Sequence, residues 1–584
     1  MTERFSLDRR QFLGFGAVAA AGAAIGLAGC SPQAPAADGV DAPAAAASDS
    51  ATAATGGTPS FLVPPDPIAE ADISQTVECD VAVVGAGVAG LCAARAAAEQ
   101  GARVIVVEKG ETFQYRSGGY GVHGSALQKE HGMDFDAQGA VSALMKEMGY
   151  RPNQRLWNEW RDHSGEAFDW LLEPTGGDYD FIVRTDTAYD PTRVTIQATH
   201  FPVPEGYDPA KEYSPSYPEA TLIFIPDQKN ILELTYQKAL DLGAEFRFST
   251  WARQLVRPNS TGRVEGVIIQ DIDGEYTKVL ASKGVIMCAG DYGNNPEMVS
   301  HYCGGRTYVP FFSNVDAKGD LTNKGEGQCM AAWVGAKIED GPHAPMTHTL
   351  GAALGTDGFL LLNTRGQRFV NEDVAGQQLS SQIYRQPEDK AWQIFDDKYP
   401  DQVEKMGVAH GAVNHVVPES ENPHLEGAAM TIGRTAITSR EEVEGSEGIV
   451  IADTLEELAS KMGLDAAGQK NLLASIARYN ELADKGVDED FGKAGSRLFP
   501  VATPPFYASP MAAGVMLVCL GGLTVDPDTL AVLNEDYVEI EGLYAAGNNM
   551  GCRILQDYPV TIGGVSHATA LVYGKLAGES AARA

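Results

Sequence analysis

A glycine-rich loop between two apolar runs carries the residue types and spacing that most directly indicate chemistry. The loop reads Gly85-Ala86-Gly87-Val88-Ala89-Gly90. It follows a Val-rich run, Cys79 to Val84, and leads into an Ala-rich stretch that ends at Gly101. We predict a buried parallel strand, a tight turn and a helix whose N-terminus faces a phosphate group. Gly85 permits the turn, Gly87 lets the backbone approach a pyrophosphate, and Gly90 allows close packing of helix and strand.

An acidic residue closes the next apolar run. Arg103 to Val107 is a second predicted strand, and Glu108 ends it, about 20 residues beyond the loop. A carboxylate at this point accepts hydrogen bonds from the ribose hydroxyls of an adenine dinucleotide and disfavours a 2′-phosphate, so NADP fits poorly. The strand–turn–helix–strand context therefore predicts a dinucleotide site, which by itself suits FAD or NAD.

Further Gly-rich segments recur downstream, and each alone is compatible with an ordinary turn. They are Arg116-Ser117-Gly118-Gly119, Ala289-Gly290-Asp291-Tyr292-Gly293, Gly542-Leu543-Tyr544-Ala545-Ala546-Gly547-Asn548, and Ile562-Gly563-Gly564 before a predicted helix from Val565 to about Ala582. In this order they resemble the flavoprotein family of fumarate reductase and succinate dehydrogenase, with its relatives the 3-ketosteroid dehydrogenases and urocanate reductases. The resemblance covers roughly residues 76 to 584.

The resemblance implies non-covalently bound FAD in an extended pose. The implied FAD-binding residues are Gly85, Ala86, Gly87, Val88, Ala89, Gly90, Glu108, Lys109, Arg116, Ser117, Gly118, Gly119, Ala252, Ala289, Gly290, Gly547, Asn548, Ile562 and Gly563. Of these, residues 117–119 are expected beside the isoalloxazine, Ala252 beside adenine, and residues 562–563 at the pyrimidine end of the flavin.

The family fold is α/β, a Rossmann-like FAD-binding domain with an inserted α+β capping domain. We predict the FAD-binding domain over 76–344 and 506–584, and the cap over 345–505. In the family the cap closes over the flavin and excludes water. Arg368 and Glu372, four residues apart in the cap, are expected to form a surface ion pair with an architectural role.

The N-terminus predicts export. Arg9-Arg10-Gln11-Phe12-Leu13 resembles a twin-arginine signal, and Leu27-Ala28-Gly29-Cys30 resembles a lipobox. We therefore expect residues 1–29 to be a signal peptide, Cys30 to carry a lipid anchor on the extracytoplasmic membrane face, and residues 30–75 to form a flexible linker. A transmembrane anchor is the alternative, for which this stretch is borderline in length and poor in Leu, Ile and Val.

Charge and cysteine content limit the partners and cofactors. The net charge is −34, from 44 Lys and Arg against 78 Asp and Glu, which repels nucleic acid. Such a charge favours solubility of an exported protein, and docking to a basic electron-transfer partner is the functional alternative. The eight cysteines include no CxxC and no CxxCH haem motif. Their scattered spacing disfavours an iron–sulfur cluster without ruling it out, and no metal site is predicted.

Three positions depart from the dicarboxylate-reducing members of the family. Those members place two arginines and a histidine where this chain has Gly376, Tyr558 and Val518. Arginine is the preferred reader of a carboxylate, and its loss leaves a buried carboxylate unpaired. Fumarate, succinate and similar small diacids are therefore poor candidate substrates.

Tyr558-Pro559 resembles the Tyr-Pro of 3-ketosteroid dehydrogenases, whose tyrosine hydrogen-bonds the carbonyl of the substrate. Tyr558 would then stabilise an enolate, although the Gly-rich stretch that follows in the family is shorter here, and a purely structural tyrosine is the alternative. The candidate proton donors are His348, Tyr384 and Arg385. A Tyr- and Pro-rich stretch from Thr187 to Tyr217 is either a substrate lid or a surface insertion.

These observations predict an extracytoplasmic FAD-dependent oxidoreductase acting on CH–CH bonds, a respiratory reductase of an activated C=C bond. The substrate would be an apolar or aromatic enone-type molecule that receives hydride from flavin N5 and a proton from a side chain. A membrane cytochrome or quinol-linked module would supply electrons, because NADH is absent outside the cell. The alternatives are a 3-ketosteroid-type dehydrogenase running in the oxidative direction and a non-catalytic lipoprotein that carries flavin or ligand.

Overall fold

A computed structural model describes residues 57–182, 190–198, 207–306, 308–310, 314–351, 358–374, 376–403, 405 and 448–584. The twin-arginine motif, the lipobox and Cys30 lie outside the described residues, as does part of the stretch from Thr187 to Tyr217. Among the described residues, no helix is both long and apolar enough to cross a bilayer.

The elements alternate between strands and helices along most of the chain. The strands are β1 Ile73–Val84, β2 Val104–Val107, β3 Gly119–Gly121, β4 Asp180–Ile182, β5 Thr195–Ala198, β6 Thr221–Ile225, β7 Glu245–Arg247, β8 Trp251–Val256, β9 Gly266–Gln270, β10 Tyr276–Met287, β11 Val309–Pro310, β12 Ala344–Gly351, β13 Leu360–Asn363, β14 Lys390–Asp396, β15 Val450–Ala452, β16 Phe506–Leu520, β17 Ala531–Leu533 and β18 Glu539–Ala545. The helices are α1 Val88–Glu99, α2 Ala126–Glu130, α3 Ala137–Glu147, α4 Gln154–Leu172, α5 Lys229–Asp241, α6 Pro296–Tyr302, α7 Glu326–Trp333, α8 Gly376–Ile383, α9 Tyr399–Val403, α10 Leu455–Lys461, α11 Ala466–Lys485 and α12 Val565–Arg583.

The central sheet has the order β17-β18-β10-β1-β2-β7. The five strands from β18 to β7 run parallel, whereas β17 pairs antiparallel with β18, and β8 and β9 extend the sheet antiparallel from β10. All four residues of β2 are buried, as expected for a strand covered on both faces. This topology confirms the predicted α/β, Rossmann-like class.

Two helices pack backbone to backbone on one face of this sheet. A Cβ added to Gly574 of α12 would lie 2.5 Å from the carbonyl oxygen of Ala89 in α1, and one on Gly578 would lie 2.3 Å from that of Ala93. Only glycine permits such an approach without moving a helix. The C-terminal helix therefore holds in place the helix that follows the glycine-rich loop.

A second sheet lies at the predicted cap. Its order is β11-β16-β14-β13, with β12 and β15 also paired to β16. Residues between Leu360 and Ala508 form a separate buried cluster, whereas Leu520, at the other end of β16, belongs to the main core. The predicted cap boundaries, 345 and 505, fall within one residue of the starts of β12 and β16, which pair with each other.

The ion pair between Arg368 and Glu372 is buried, so its predicted surface position is wrong. Arg368 Nη2 lies 2.7 Å from Glu372 Oε2 and 2.8 Å from Asp488 Oδ2, and both carboxylate side chains are fully buried. The side chains meet because Asp488, 120 residues away, follows α11 back against the segment that carries Arg368. A buried charge needs such partners, and the cluster ties two parts of the cap together.

The packed chain begins earlier than the predicted linker boundary at residue 75. Phe61 is buried against His301 and Tyr302, and its carbonyl oxygen accepts a hydrogen bond from Trp333 Nε1 at 3.0 Å. The Ser60 backbone N–H donates to Glu297 Oε1 at 2.8 Å. Phe61 is an aromatic residue in an otherwise small and polar stretch, and this is the sequence signal that the segment packs.

Candidate flavin-binding site

A cleft runs along the carboxyl ends of β1, β2 and β10 and the starts of α1 and α12. Ligands bind at this edge of doubly wound sheets. Twelve of the nineteen predicted FAD-binding residues line it: Gly85, Gly87, Val88, Ala89, Glu108, Lys109, Arg116, Ala252, Ala289, Gly290, Gly547 and Asn548. Six stretches of the chain therefore meet at one surface.

The three glycines of the loop serve different purposes. A Cβ on Gly85 would lie 2.3 Å from the carbonyl oxygen of Cys288, and one on Gly90 would lie 1.9 Å from that of Gly85, so both are required by internal packing. Gly87 has no atom closer than 3.9 Å to the same position. Its missing side chain leaves open space in the cleft, at the N-cap of α1, where a pyrophosphate would lie against unpaired N–H groups.

Glu108 is buried in the cleft wall and shapes the loop. Its Oε2 accepts from the Ala86 N–H at 2.8 Å and its Oε1 from the Gly110 N–H at 2.7 Å. Burial raises the pKa of Glu108, and these two N–H donors and Lys109 oppose the shift. Ala86 does not line the cleft, and its role is to anchor this carboxylate.

Arg116 presents an unsatisfied donor to the cleft. Its Nε donates to Asn314 Oδ1 at 3.2 Å, whereas its buried Nη2 has no hydrogen-bond partner among the described residues. Burial lowers the pKa of Arg116, and the nearby Asp291 carboxylate opposes the shift. A buried guanidinium nitrogen without a partner is costly, so its position in the cleft fits an oxygen-rich ligand.

Six further predicted residues pack behind the cleft and do not line it: Gly90, Ser117, Gly118, Gly119, Ile562 and Gly563. A Cβ on Gly118 would meet the Phe224 carbonyl oxygen at 2.2 Å, and the Gly563 carbonyl accepts from Thr221 Oγ1 at 2.9 Å. These glycines are required because segments 117–119 and 562–564 lie directly against β6.

His567, which the sequence did not single out, does line the cleft, in the first turn of α12. Its Nδ1–H donates to the Gly119 carbonyl at 2.9 Å, which leaves Nε2 as an acceptor. Burial lowers the pKa of His567, so the ring is neutral. Its place three residues after Gly564, at a predicted helix start, is a signal that could have found it.

Two other residues outside the prediction orient the cleft wall. Gln328 Nε2 of α7 donates to the carbonyl oxygens of Gly290 at 3.1 Å and Asn548 at 3.0 Å, joining two predicted segments. Arg553 Nη2 donates to Asn548 Oδ1 at 2.8 Å. No local pattern marks either residue. Gln328 contacts segments that are distant in the chain, and Arg553 reaches Asn548 only because the chain folds back on itself.

Of the positions that depart from the dicarboxylate pattern, Val518 lines the cleft. Gly376 begins α8, and Tyr558 is buried in the main core with 1 % of its surface exposed. Burial raises the pKa of Tyr558, and Arg553 and the backbone N–H of Ser566 oppose the shift. Tyr558 lies next to a residue of the cleft wall but does not itself line the described cleft.

The candidate proton donors are separated. Tyr384 follows α8, its ring lies edge-on to Tyr308 at 5.5 Å and beneath the guanidinium of Arg306 at 4.8 Å, and its buried hydroxyl has no described partner. Arg385 is exposed and hydrogen-bonds the Ser381 carbonyl. His348 lies in β12 opposite Val515, and its side chain falls outside the described part of the structure.

The N–H groups at the start of α1, the open space at Gly87 and the unpaired Arg116 Nη2 fit FAD. Among the described residues, no group of three or more His, Cys, Asp or Glu side chains is placed to hold a metal. The site and fold define a flavin-dependent oxidoreductase. The family described as FAD binding domain matches residues 80–557, so the chain belongs to this family and binds FAD.

Named relatives support the same class. The chain is 28 % identical to a vinyl phenol reductase of Lactiplantibacillus plantarum, over 86 % of this chain and 96 % of the relative. It is 26 % identical to a 3-oxosteroid 1-dehydrogenase of Mycolicibacterium smegmatis, with coverage of 86 % and 96 %. The structure of a flavocytochrome c3 fumarate reductase in an open conformation aligns with a TM-score of 0.55 at 24 % identity, covering 88 % of this chain and 79 % of that one. The predicted family and the class of enzyme, an oxidoreductase acting on CH–CH bonds, are confirmed.

Proposed function

We propose that this chain reduces an activated C=C bond in an apolar or aromatic enone-type molecule, on the extracytoplasmic face of the membrane. The observation that carries the substrate class is Val518, an aliphatic side chain in the wall of the flavin cleft. Dicarboxylate reductases of the family place a carboxylate reader at this position. A carboxylate buried against valine would lose its hydration without a compensating donor, which costs several kcal/mol.

The name of one relative agrees with this substrate class. That relative is a vinyl phenol reductase, and a vinyl phenol has an aromatic ring conjugated to the double bond. FAD, when bound, supplies two-electron transfer to or from carbon. The chain must then provide a binding surface for an apolar substrate and one acidic group for the second carbon.

Tyr384 is the proposed acidic group. Tyr384 does not line the described cleft, but its hydroxyl is buried and unpartnered among the described residues, which leaves it free to donate. Burial raises the pKa of Tyr384, although the nearby Arg306 opposes the shift, so the phenol keeps its proton at neutral pH. Tyr558 is buried next to Ser566 of the cleft wall, and we assign it a structural role. Arg385 is exposed and is therefore the weaker candidate.

A second candidate is dehydrogenation of a 3-ketosteroid. It is favoured by the curated 3-oxosteroid 1-dehydrogenase relative, which matches 86 % of this chain. The same residues serve both directions, because a group that donates a proton to carbon in reduction accepts it in oxidation. The two candidates therefore differ in the electron partner rather than in the cleft.

The proposed location and electron donor rest on the N-terminal sequence and the net charge. Cys30 would carry the lipid anchor, and a membrane cytochrome or quinol-linked module would reduce the flavin. An acidic protein of net charge −34 favours a donor with a basic docking face. Cell fractionation of the wild type and of Cys30→Ala tests the anchor: we expect the variant to leave the membrane fraction, and its retention there contradicts the proposal.

Anaerobic reoxidation of reduced methyl viologen by the purified, FAD-loaded protein tests the activity. We expect turnover with vinyl phenols, cinnamates or cyclic enones at least tenfold faster than with fumarate. A steroid oxidised with an artificial electron acceptor, without viologen turnover on any alkene, would establish the second candidate instead. Turnover that is fastest with fumarate, or absent with every acceptor, would overturn the substrate proposal.

A further inference from the structure

Two cysteines that are 216 residues apart meet beside the flavin cleft. Cys303 follows α6, Cys519 lies near the end of β16, and their Sγ atoms are 3.3 Å apart. Both are buried, with exposed fractions of 6 % and 0 %. The neighbour of Cys519 in the chain is Val518, which lines the cleft. A disulfide bond of about 2.05 Å would need the sulfurs to approach by only about 1.2 Å.

The cysteine pair adjoins a hydrogen-bonded chain of two side chains. Cys303 Sγ lies 3.9 Å from the Tyr292 hydroxyl, which lies 2.5 Å from His343 Nδ1. His343 Nε2 lies 3.0 Å from the Glu339 carbonyl oxygen. Because a carbonyl only accepts, Nε2 carries the ring proton, Nδ1 accepts, and Tyr292 donates to it. The lone pairs of the tyrosine oxygen remain to accept from the thiol of Cys303.

The end of β16 is fitted to this cluster. A Cβ on Gly521, two residues after Cys519, would lie 2.2 Å from His343 Nδ1, so only glycine leaves room for the ring. The ring of Tyr302 stacks on His343 at 4.2 Å. Burial lowers the pKa of His343 to about 4, so the ring is a neutral base at physiological pH. The two thiols therefore lie in a packed pocket with one neutral base within reach through Tyr292.

We propose that Cys303 and Cys519 are a redox pair that closes a disulfide between α6 and β16. The oxidant is a low-molecular-weight disulfide. The Cys303 thiolate attacks one sulfur of this reagent, forms a mixed disulfide and releases one thiol. Cys519 then attacks the Cys303 sulfur, forms the new S–S bond and expels the second thiol. The two cysteines are oxidised, the reagent is reduced, and the two cysteine protons end on the two released thiols.

The disulfide bond would restrict the movement of strand β16, which connects the cap to the cleft. Strand β16 begins in the cap cluster at Phe506 and reaches the cleft at Val518. A link from Cys519 to the end of α6 anchors its cleft end to the FAD-binding domain, and the long loop that it closes restricts the unfolded chain. The oxidised protein should therefore unfold at a higher temperature than the reduced protein.

Mass mapping of the FAD-loaded protein tests the pair. The protein is equilibrated with reduced or oxidised glutathione, quenched in acid, denatured in an alkylating reagent and digested. We expect oxidised glutathione to give one cross-linked peptide pair containing Cys303 and Cys519, and dithiothreitol to remove it. The melting temperature should rise with the cross-link. Cys92→Ser, which removes a buried cysteine elsewhere in the core, is the matched control and should keep both effects.

Cys303→Ser and Cys519→Ser should each lose the cross-link and the temperature shift, with FAD content reporting on their folding. The proposal is overturned if both cysteines of the oxidised wild type are fully alkylated. It is also overturned if glutathione stays attached to Cys303 alone, or if either cysteine pairs with a different one. The wild-type measurement decides the question even where a variant fails to fold.

Discussion

Two parts of the lining of the flavin cleft are built differently. The loop side is formed by backbone: Gly85 permits the turn, Gly87 leaves open space, and Glu108 is held by two backbone N–H groups. The rest of the lining includes side chains from separate segments, such as Val518 and His567. Backbone geometry recognises a cofactor that many enzymes share, whereas side chains are free to change with the substrate. The difference explains why the cofactor is evident from a short motif and the substrate is not.

The largest expected effect is on the loop side. Gly87→Val should leave the fold intact, because the added side chain points into open cleft, but should occupy the place of the pyrophosphate. We expect FAD affinity to fall by at least about 100-fold, which is roughly 2.7 kcal/mol. Flavin absorbance per protein and titration of the apoprotein measure it. Retention of FAD at the wild-type level would contradict the assignment of Gly87.

Gly85→Ala is the matched comparison within the same loop. Its Cβ would lie 2.3 Å from the Cys288 carbonyl oxygen, and the residue has φ +104°, where a side chain is strained. We expect the free energy of unfolding of the apoprotein to fall by roughly 2–4 kcal/mol. Denaturant unfolding of both apoproteins separates the two glycines: only the variant at residue 85 should lose stability.

The second comparison concerns the two tyrosines considered for the chemistry, neither of which lines the described cleft. Tyr384→Phe removes the proposed proton donor and should lower kcat by about 100-fold or more, with FAD binding unchanged. Tyr558→Phe removes a buried hydroxyl and should cost about 1 kcal/mol of stability, with less than a tenfold change in kcat. Steady-state kinetics and thermal melts measure both. The opposite ranking in kcat would return the catalytic role to Tyr558.

The smallest expected effect is a pH dependence at Glu147, which lies in a second cavity and not in the flavin cleft. The carboxylate of Glu147 accepts from the Val560 N–H at 3.1 Å and from Thr561 Oγ1 at 2.8 Å. Burial outweighs the hydrogen bonds from Thr561 and Val560 and raises the pKa of Glu147 to about 7. The folded state therefore binds this proton more tightly than the unfolded state. Stability should fall as pH rises from about 4.5 to about 7 and should then level off.

Glu147→Gln tests this behaviour, since the amide can still accept from Val560 and donate to Thr561. We expect its melting temperature to lack the part of the decline between pH 4.5 and 7 that Glu147 contributes. Identical pH profiles for the variant and the wild type would show that Glu147 is not the titrating group. The loop side, held by Glu108 and backbone, is unaffected by this change.

Several elements were predictable because local patterns determine them. The run from Cys79 to Val84 lies within β1, the second predicted strand corresponds to β2, and the predicted C-terminal helix from Val565 is α12. Continuous apolar runs, bounded by glycines, are sufficient to predict such elements. The helix α7 was not anticipated, although its Gln328 joins two walls of the cleft. The buried position of Arg368 was also missed, because its second carboxylate partner comes from 120 residues away.

The sequence by itself determined a dinucleotide site. A turn that only glycine allows, followed by a helix start and an acidic strand end, is a local arrangement of neighbouring residues, and its chemistry follows from backbone geometry. The choice of FAD over NAD came from the family resemblance of the later Gly-rich segments. Only the tertiary structure decided which side chains reach the cleft. It brought His567 and Val518 to the wall, placed Tyr558 behind it and set Cys303 against Cys519. These placements depend on contacts between distant segments, for which the order of residues along the chain carries no local signal.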